Sequence, residues 1–313
     1  MTTPATRQLQ VDSLSRIAED VVLIDLIDPG GTPLPAWGAG DHIALHLPAD
    51  RLRQYSLCGD RTQPGWRIAV RREADGRGAS QFLYDELRKG DLLTATGPHS
   101  AFPLLEGPRY LFIAGGIGIT PLLPMMTEVE RRGAQWAGVC LSTQRSRMPF
   151  ATDLEEQDWP VSLHYSQAGN RWDVTSAIAD LDPGTLVYAC GPERLLDAIR
   201  QACGRRDDIR LRSESFAPTD RSGLKATPFD VELGTSGQVL HVAADTTLLD
   251  VLIDAGIDVL SSCGEGTCGT CEVLVCSGEI DHRDDVLNDD DRKAADRMLV
   301  CVSRGRGRLV LDV

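Results

Sequence analysis

The sequence has no surplus of basic charge. Its 313 residues carry 32 Lys and Arg against 46 Asp and Glu, a net charge of −14. The isoelectric point lies near 4.8. Nucleic-acid binders and proteins that dock on anionic membranes both need a basic footprint, so neither partner is expected. An uninterrupted apolar run is also missing. The longest, Tyr110 to Met126, is broken by Gly115, Gly116, Gly118, Pro121 and Pro124, whereas a spanning helix needs about 20 apolar residues. Met1 to Arg7 show no basic region followed by an apolar stretch, so no secretory signal is expected. A cytoplasmic protein is expected instead. The chain lacks an H-E-x-x-H zinc motif, a phosphate loop and a G-x-S-x-G elbow. It has no low-complexity segment and no internal repeat. The nine cysteines are odd in number, which does not suit a paired disulfide framework.

What is present reads as several domains. A hydrophobic fraction of 42% and a charged fraction of 25% are ordinary globular values. Residues 8 to 100 carry short alternating stretches separated by Gly and Pro clusters. Val21 to Leu26, His42 to Leu47 and Trp66 to Arg71 are strand candidates, and the pattern suggests an antiparallel β-barrel. One helical stretch, Gln81 to Lys89, interrupts it before Gly90. Residues 108 to 216 alternate strands with helices, which implies a parallel sheet in an α/β domain. Expected strands are Tyr110 to Ala114, Ala137 to Leu141, Val161 to Tyr165 and Thr185 to Ala189. Expected helices run to Arg132, over 150–157 and from Glu193 to Cys203. Ala217 to Leu224 reads as a linker. The tail from Lys225 concentrates the acidity, with 8 Lys and Arg against 17 Asp and Glu. The expected division is 1–104, 105–216, a linker at 217–224, and 225–313.

The strongest chemical signal lies in that tail. Cys263, Cys268 and Cys271 follow the spacing C-x4-C-x2-C, with Cys301 beyond. This is the plant-type ferredoxin pattern for a 2Fe-2S cluster. Three thiolates must converge from one tight loop, and Gly264, Gly266 and Gly269 permit the curl. A structural zinc site usually shows two short-spaced pairs. A thioredoxin-type pair precedes a helix, whereas here the strand Glu272 to Val275 follows. A strand at Val239 to Val242 and a helix at Thr247 to Ala255, with Asp245 as its cap, complete the context. Cys276 is a spare. Asp284, Asp285, Asp289, Asp290 and Asp291 read either as a solvated loop or as a docking surface for a basic patch.

Further motifs lie upstream. Arg53-Gln54-Tyr55-Ser56 ends a barrel strand, and Gly76-Arg77-Gly78-Ala79-Ser80 precedes the barrel helix. A fork-shaped guanidinium suits phosphate, an aromatic suits a flat ring, and a helix start suits an anion. Read alone, Arg53 and Tyr55 are equally a barrel-edge pair. Gly115-Gly116-Ile117-Gly118-Ile119-Thr120-Pro121 follows a strand and opens a helix, but it is not the G-x-G-x-x-G fingerprint. Its glycines let backbone approach a pyrophosphate, Thr120 adds a hydroxyl donor, and Pro121 suits a first helical turn. Cys190-Gly191-Pro192 ends another strand; a cysteine there reads on its own as a buried core residue. The six histidines are scattered, and His42 and His46 read as barrel residues.

With these motifs in this order, the whole chain resembles the phthalate dioxygenase reductase family, which includes vanillate demethylase reductases. The resemblance implies a multidomain fold. An antiparallel β-barrel holds flavin, an α/β domain binds nicotinamide, and an α+β β-grasp domain of plant ferredoxin type carries the cluster. It implies that Arg53 contacts the flavin phosphate, that Tyr55 lies near the ring with Gln54 beside it, and that Ser56 reaches flavin N5. Gly76, Gly78, Ala79 and Ser80 would cradle the phosphate, and Ala69, Val70 and Arg71 would touch the flavin. Nothing between Gly97 and Pro108 looks built for an adenine nucleotide, so FMN is favoured over FAD. Gly115, Gly116, Gly118, Thr120 and Pro121 would hold the dinucleotide, with Gly191 and Pro192. Cys190 would lie beside nicotinamide C4. Glu214 and Phe216 match the family's E-x-F ending, in which the aromatic covers the flavin face. Arg145 and Arg147 hint at NADPH, yet the family favours NADH. Cys263, Cys268, Cys271 and Cys301 would ligate the cluster.

The expected function is that of an oxidoreductase. It takes hydride from NADH onto FMN and passes single electrons through the 2Fe-2S cluster to a separate terminal oxygenase. A Rieske-type oxygenase acting on an aromatic acid or similar small substrate is favoured as partner, and a haem-thiolate monooxygenase is the alternative. A reading of another class is a non-enzymatic electron carrier or redox sensor that binds no nicotinamide; the retained glycine turns speak against it. The resemblance implies a monomer with transient, salt-sensitive docking.

Overall fold

The structure is a computed structural model that describes residues 6–313, apart from 49–50, 75–77, 170–171, 217–222, 262–263, 265, 267–268, 285 and 288 and the side chains of 51, 289 and 290. Two compact units result, Thr2–Phe216 and Ala217–Val313. No helix among the described residues is long and apolar enough to cross a membrane.

Period-two alternation builds the first sheet. Strands β1 (Arg7–Ala18), β2 (Val21–Ile27), β3 (Asp41–Leu47), β4 (Arg51–Ser56), β5 (Trp66–Arg71) and β6 (Leu92–Ser100) lie antiparallel in the order β4-β3-β6-β1-β2-β5. The two edges meet. Leu57, just past β4, bridges to Ile68 in β5, and Cys58 N–H donates to the Arg67 carbonyl at 2.9 Å. Closure satisfies edge groups that would otherwise stay open. Leu9, Ile24, Ile43, Leu45, Leu57, Trp66 and Ile68 fill the interior. The helix expected over Gln81 to Lys89 is shorter and differently wound. A single turn α1 (Ala79–Gln81) passes into a π-helical turn over Phe82–Glu86. Two groups end it. Leu87 N–H closes onto the Phe82 carbonyl at 3.1 Å, and the Asp91 carboxylate captures Arg88 N–H at 2.8 Å.

The second sheet is wholly parallel. Strands β7 (Arg109–Gly115), β8 (Gln135–Ser142), β9 (Val161–Tyr165), β10 (Thr185–Cys190) and β11 (Arg210–Glu214) stand in the order β11-β10-β7-β8-β9. Helices α2 (Ile119–Arg131), α3 (Ala151–Glu156), α4 (Val174–Ala179) and α5 (Glu193–Cys203) connect them. Strand order reverses between β7 and β10, and at such a switch point ligands meet the carboxyl ends of the strands. β11 was not anticipated as a strand.

Barrel and parallel sheet share a core. Val21, Ala39, Cys58 and Ala69 pack in one cluster with Phe112, Met125 and Tyr188. Polar links cross the same boundary. Glu128 on α2 is buried and receives Arg131 Nη2 at 2.9 Å and Arg132 Nε at 2.6 Å, and it pairs with Arg61 from the barrel.

The second unit is a mixed sheet. Strands β12 (Phe229–Leu233), β13 (Val239–Val242), β14 (Glu272–Ser277), β16 (Arg297–Leu299) and β18 (Leu309–Leu311) run in the order β13-β12-β18-β14-β16, with β15 (Ile280–Asp281) and β17 (Arg304–Gly305) as a separate pair. β12 and β18 are parallel and the other pairs antiparallel. Helix α6 (Leu248–Asp254) packs Leu248, Leu249 and Leu252 on the sheet. Its cap is Thr247, whose hydroxyl oxygen accepts Asp250 N–H at 3.1 Å, rather than the expected Asp245. Arg304 is a buried cross-link. It donates to the carbonyls of Ala243 at 2.6 Å and Thr246 at 2.9 Å, and stacks over Phe229.

The Glu128 cluster yields a test. Hydrogen bonds from Arg131 and Arg132, with Arg61 nearby, hold its carboxyl at about 2. A lowered carboxyl contributes stability above its ordinary 4.5 and loses it as pH falls towards 2. Glu128→Gln should lower the unfolding free energy at neutral pH by about 1–3 kcal/mol in denaturant titrations. A midpoint equal to that of the wild type contradicts the role.

Candidate functional site

The site forms where two strand-end turns touch. After β7 the chain turns through Gly116–Gly118 and enters α2. After β10 it turns through Gly191 and Pro192 into α5. A Cβ on Gly118 would lie 2.2 Å from the Cys190 carbonyl oxygen, and one on Gly115 would lie 2.6 Å from Pro192 Cδ. Backbone therefore packs on backbone, and glycine is required for closeness. Arg71, the last residue of β5, reaches the same place from the barrel. Its Nη1 lies 3.8 Å from where a Gly116 Cβ would be, and its Nε donates to Glu73 at 2.7 Å. A flat, uncrowded turn with a guanidinium beside it suits a pyrophosphate.

Thr120 corrects one expectation. Its hydroxyl donates to the Ile117 carbonyl at 3.0 Å and the residue is buried. The proton stitches the turn and is not offered to a ligand. Pro121 is buried in the first turns of α2.

Cys190 and Glu214 stand side by side. They are paired residues at the carboxyl ends of β10 and β11. Burial pushes the Cys190 thiol well up, and Glu214 beside it adds to this, so it is no thiolate nucleophile. Glu214 is half-buried, but its Oε2 is sealed from solvent without a hydrogen-bond partner. Burial raises its pKa to about 8. A neutral acid with an unsatisfied oxygen marks a place where a polar ligand group fits. Two residues on, Phe216 exposes 44% of its surface.

On the barrel, β4 carries Arg53, Gln54, Tyr55 and Ser56 opposite Leu45, Ala44, Ile43 and His42 of β3. Arg53 Nη1 donates to the Leu52 carbonyl at 2.7 Å, and no carboxylate among the described residues pairs with it. Burial pushes the Tyr55 phenol up. Ser56 is buried. Ala69 points into the core shared with the parallel sheet and Val70 into the barrel interior, and both pair with β2. Gly76 and Arg77 lie outside the described residues. Gly78 takes a φ of 91° before Ala79. Ser80 accepts Glu73 N–H at 3.1 Å.

Arg145 follows β8 and is clamped by Glu155, with Nε to Oε1 at 3.0 Å. It is not a bare guanidinium.

In the second unit, Cys263 and Cys268 lie outside the described residues. Cys271 and Cys301 are both buried. The β14–β16 register, with Glu272 opposite Leu299 and Val300 N–H donating to the Cys271 carbonyl at 3.2 Å, brings their stretches together. Gly264, Gly266 and Gly269 all take positive φ, between 67° and 76°. Cys276 is exposed at the far end of β14. Asp284 is neither solvated nor on a surface. It is buried, accepts Leu287 N–H at 2.8 Å and the Ser303 hydroxyl at 3.3 Å, and so fixes the loop near Cys301. Sequence reasoning missed this anchor because nothing in an acidic run marks which member is buried.

Known proteins share this arrangement. A family model for the 2Fe-2S iron-sulfur cluster binding domain matches residues 231–305, which span all four cysteines. The phthalate dioxygenase reductase of Burkholderia cepacia is 36% identical over 324 residues, covering 100% of both chains. The chain belongs to the phthalate dioxygenase reductase family. The carnitine monooxygenase reductase subunit of Escherichia coli (strain K12) is 37% identical and covers 98% of each chain. The solved structure of an intact type IV self-sufficient cytochrome P450 monooxygenase matches 98% of this chain with a TM-score of 0.90 and 40% identity. This chain spans 41% of that longer polypeptide. The fold class and the oxidoreductase assignment follow from this membership. FMN, NADH and a 2Fe-2S cluster are the cofactors of the phthalate dioxygenase reductase family.

Glu214 gives a pH signature. Its raised pKa means the folded chain holds a proton that the unfolded chain releases above 4.5. Stability is fullest below 4.5 and declines as pH rises through about 8. Glu214→Gln should remove that decline in flavin-free protein, so melting curves recorded against pH should separate in favour of the variant at alkaline pH. Parallel curves contradict the buried acid.

Proposed function

We propose that this protein draws electrons from NADH and delivers them singly, through its 2Fe-2S domain, to a separate terminal oxygenase. One observation carries the reading. The Gly115–Gly118 turn, the Cys190–Pro192 turn and the sealed Glu214 acid meet at the switch point of a parallel sheet, in a chain whose last third matches a cluster-binding domain. When bound, FMN converts a two-electron hydride donor into single electrons that a one-electron cluster accepts.

The residues have separable tasks. Arg53, with no carboxylate partner among the described residues, would take the FMN phosphate together with Gly76, Gly78 and the Ser80 hydroxyl. Tyr55 and Ser56 would face the ring. Gly115, Gly116, Gly118 and Arg71 would admit the dinucleotide pyrophosphate. Cys190 and Glu214 would border the nicotinamide, with Glu214 holding its proton at neutral pH. Phe216 would shield the ring until nicotinamide displaces it. Cys263, Cys268, Cys271 and Cys301 would hold the cluster. The proposed domain limits at 104/105 and 224/225 fall between Ser100, which ends the barrel strands, and Arg109 and Phe229, which begin the next sheets.

The favoured partner is a Rieske-type oxygenase acting on an aromatic acid or similar small substrate. The end-to-end match to a phthalate dioxygenase reductase supports it. The 40% identity with part of a cytochrome P450 monooxygenase favours a second reading, a haem-thiolate partner. An acidic tail suits a basic partner patch and salt-sensitive docking.

Two variants test the path. Arg53→Ala should weaken FMN retention at least about tenfold while iron and sulfide content per chain holds. Equal loss of both contradicts the flavin assignment. Cys268→Ser should abolish NADH-driven cytochrome c reduction and spare ferricyanide reduction. Persistence of both activities would falsify the cluster route.

A further inference from the structure

The loop after β8 carries Arg145 and Arg147. At the end of the strand beside the glycine turn, a parallel sheet meets the adenosine ribose of a dinucleotide; an acid there accepts ribose hydroxyls, and a bare arginine takes a 2′-phosphate. Neither arginine is bare here. Glu155 of α3 accepts Arg145 Nε on both oxygens, at 3.0 and 3.2 Å, and Nη2 at 2.5 Å. Arg145 Nη2 also reaches the Thr152 hydroxyl at 3.3 Å. Glu19, at the β1–β2 turn of the barrel, accepts Arg147 Nε at 3.4 Å, Gln144 Nε2 at 3.0 Å and the Ser146 hydroxyl at 3.3 Å.

A third group lies against the first pair. Tyr165 ends β9, and its hydroxyl is sealed from solvent with no hydrogen-bond partner. Burial raises its phenol, Glu155 adds to this and Arg145 opposes it, and Tyr165 stands opposite Ser142 at the end of β8. The loop thus presents two neutralised arginines and one unsatisfied hydroxyl.

These groups treat two dinucleotides differently. A 2′-phosphate brings roughly two negative charges. To reach Arg145 it must displace the Glu155 carboxylate, which then faces it as a like charge. A 2′-hydroxyl brings no charge and finds acceptor lone pairs on the exposed Glu155 carboxylate. We infer that Glu155, by clamping Arg145, is the specificity-determining residue that makes NADH rather than NADPH the electron donor. This rests on the nicotinamide reading above.

The test is calorimetric binding of NAD+ and NADP+ to the FMN-loaded full-length protein. The wild type should bind NAD+ more tightly. Glu155→Gln should shift the affinity ratio towards NADP+ by about tenfold or more, and Arg145→Ala added to it should cancel that gain. Glu156→Gln makes the same charge change one residue along and should leave the ratio in place. An unchanged ratio in Glu155→Gln, or an equal shift in Glu156→Gln, overturns the role of Glu155 while NAD+ binding stands. Failure of both nucleotides to bind the wild type overturns the nicotinamide reading and this inference with it.

Discussion

The structure of the first unit depends on one contact, between two backbone turns that no side chain separates. Gly118 lies against the Cys190 carbonyl, and Gly115 against Pro192. That contact fixes how β7 and β10 end, and with them where α2 and α5 begin. It also fixes β11, because β11 is registered on β10 and carries Glu214 opposite Cys190. Arg71 from the barrel closes the same corner. A cleft bounded by backbone offers amide groups without bulk, which is what a dinucleotide demands of a protein.

Carboxylates are handled in three ways, and the differences map onto roles. Glu128 is ionised and surrounded by Arg61, Arg131 and Arg132, so it ties barrel to helix. Asp284 is buried but satisfied by backbone amides and Ser303, so it shapes a loop. Glu214 has a sealed oxygen and no partner for it. Desolvation without compensation keeps it neutral at physiological pH. Of these three, the uncompensated acid is the one at the switch point. Structural networks satisfy their polar groups, and ligand sites leave some for the ligand.

Much of this was legible in residues. Val21 to Leu26, His42 to Leu47 and Trp66 to Arg71 became β2, β3 and β5 because their alternation matches a half-buried sheet. The cysteine spacing announced the cluster domain, and the glycine turns announced the close approach of the β7 and β10 strand ends. The long strand β1 was missed because its alternation of Leu9 and Val11 with Gln8, Gln10 and Asp12 is short and breaks at the bulge between Val11 and Ser13. The π-helical turn at Phe82 arises from tertiary placement of Leu87 and from Asp91, neither of which has a local pattern. Thr120 was expected to offer its hydroxyl to a pyrophosphate, but it donates to the Ile117 carbonyl. The pairing of Arg145 with Glu155 spans ten residues and two elements, so a linear reading saw a basic pair and not its clamp.

Anaerobic titration of the loaded protein with NADH, followed by visible absorbance and electron paramagnetic resonance, tests the central claim most directly. The account predicts bleaching of the flavin and appearance of the reduced-cluster signal with NADH as sole donor. An oxidised cluster after excess NADH, in protein with full flavin and iron content, contradicts it.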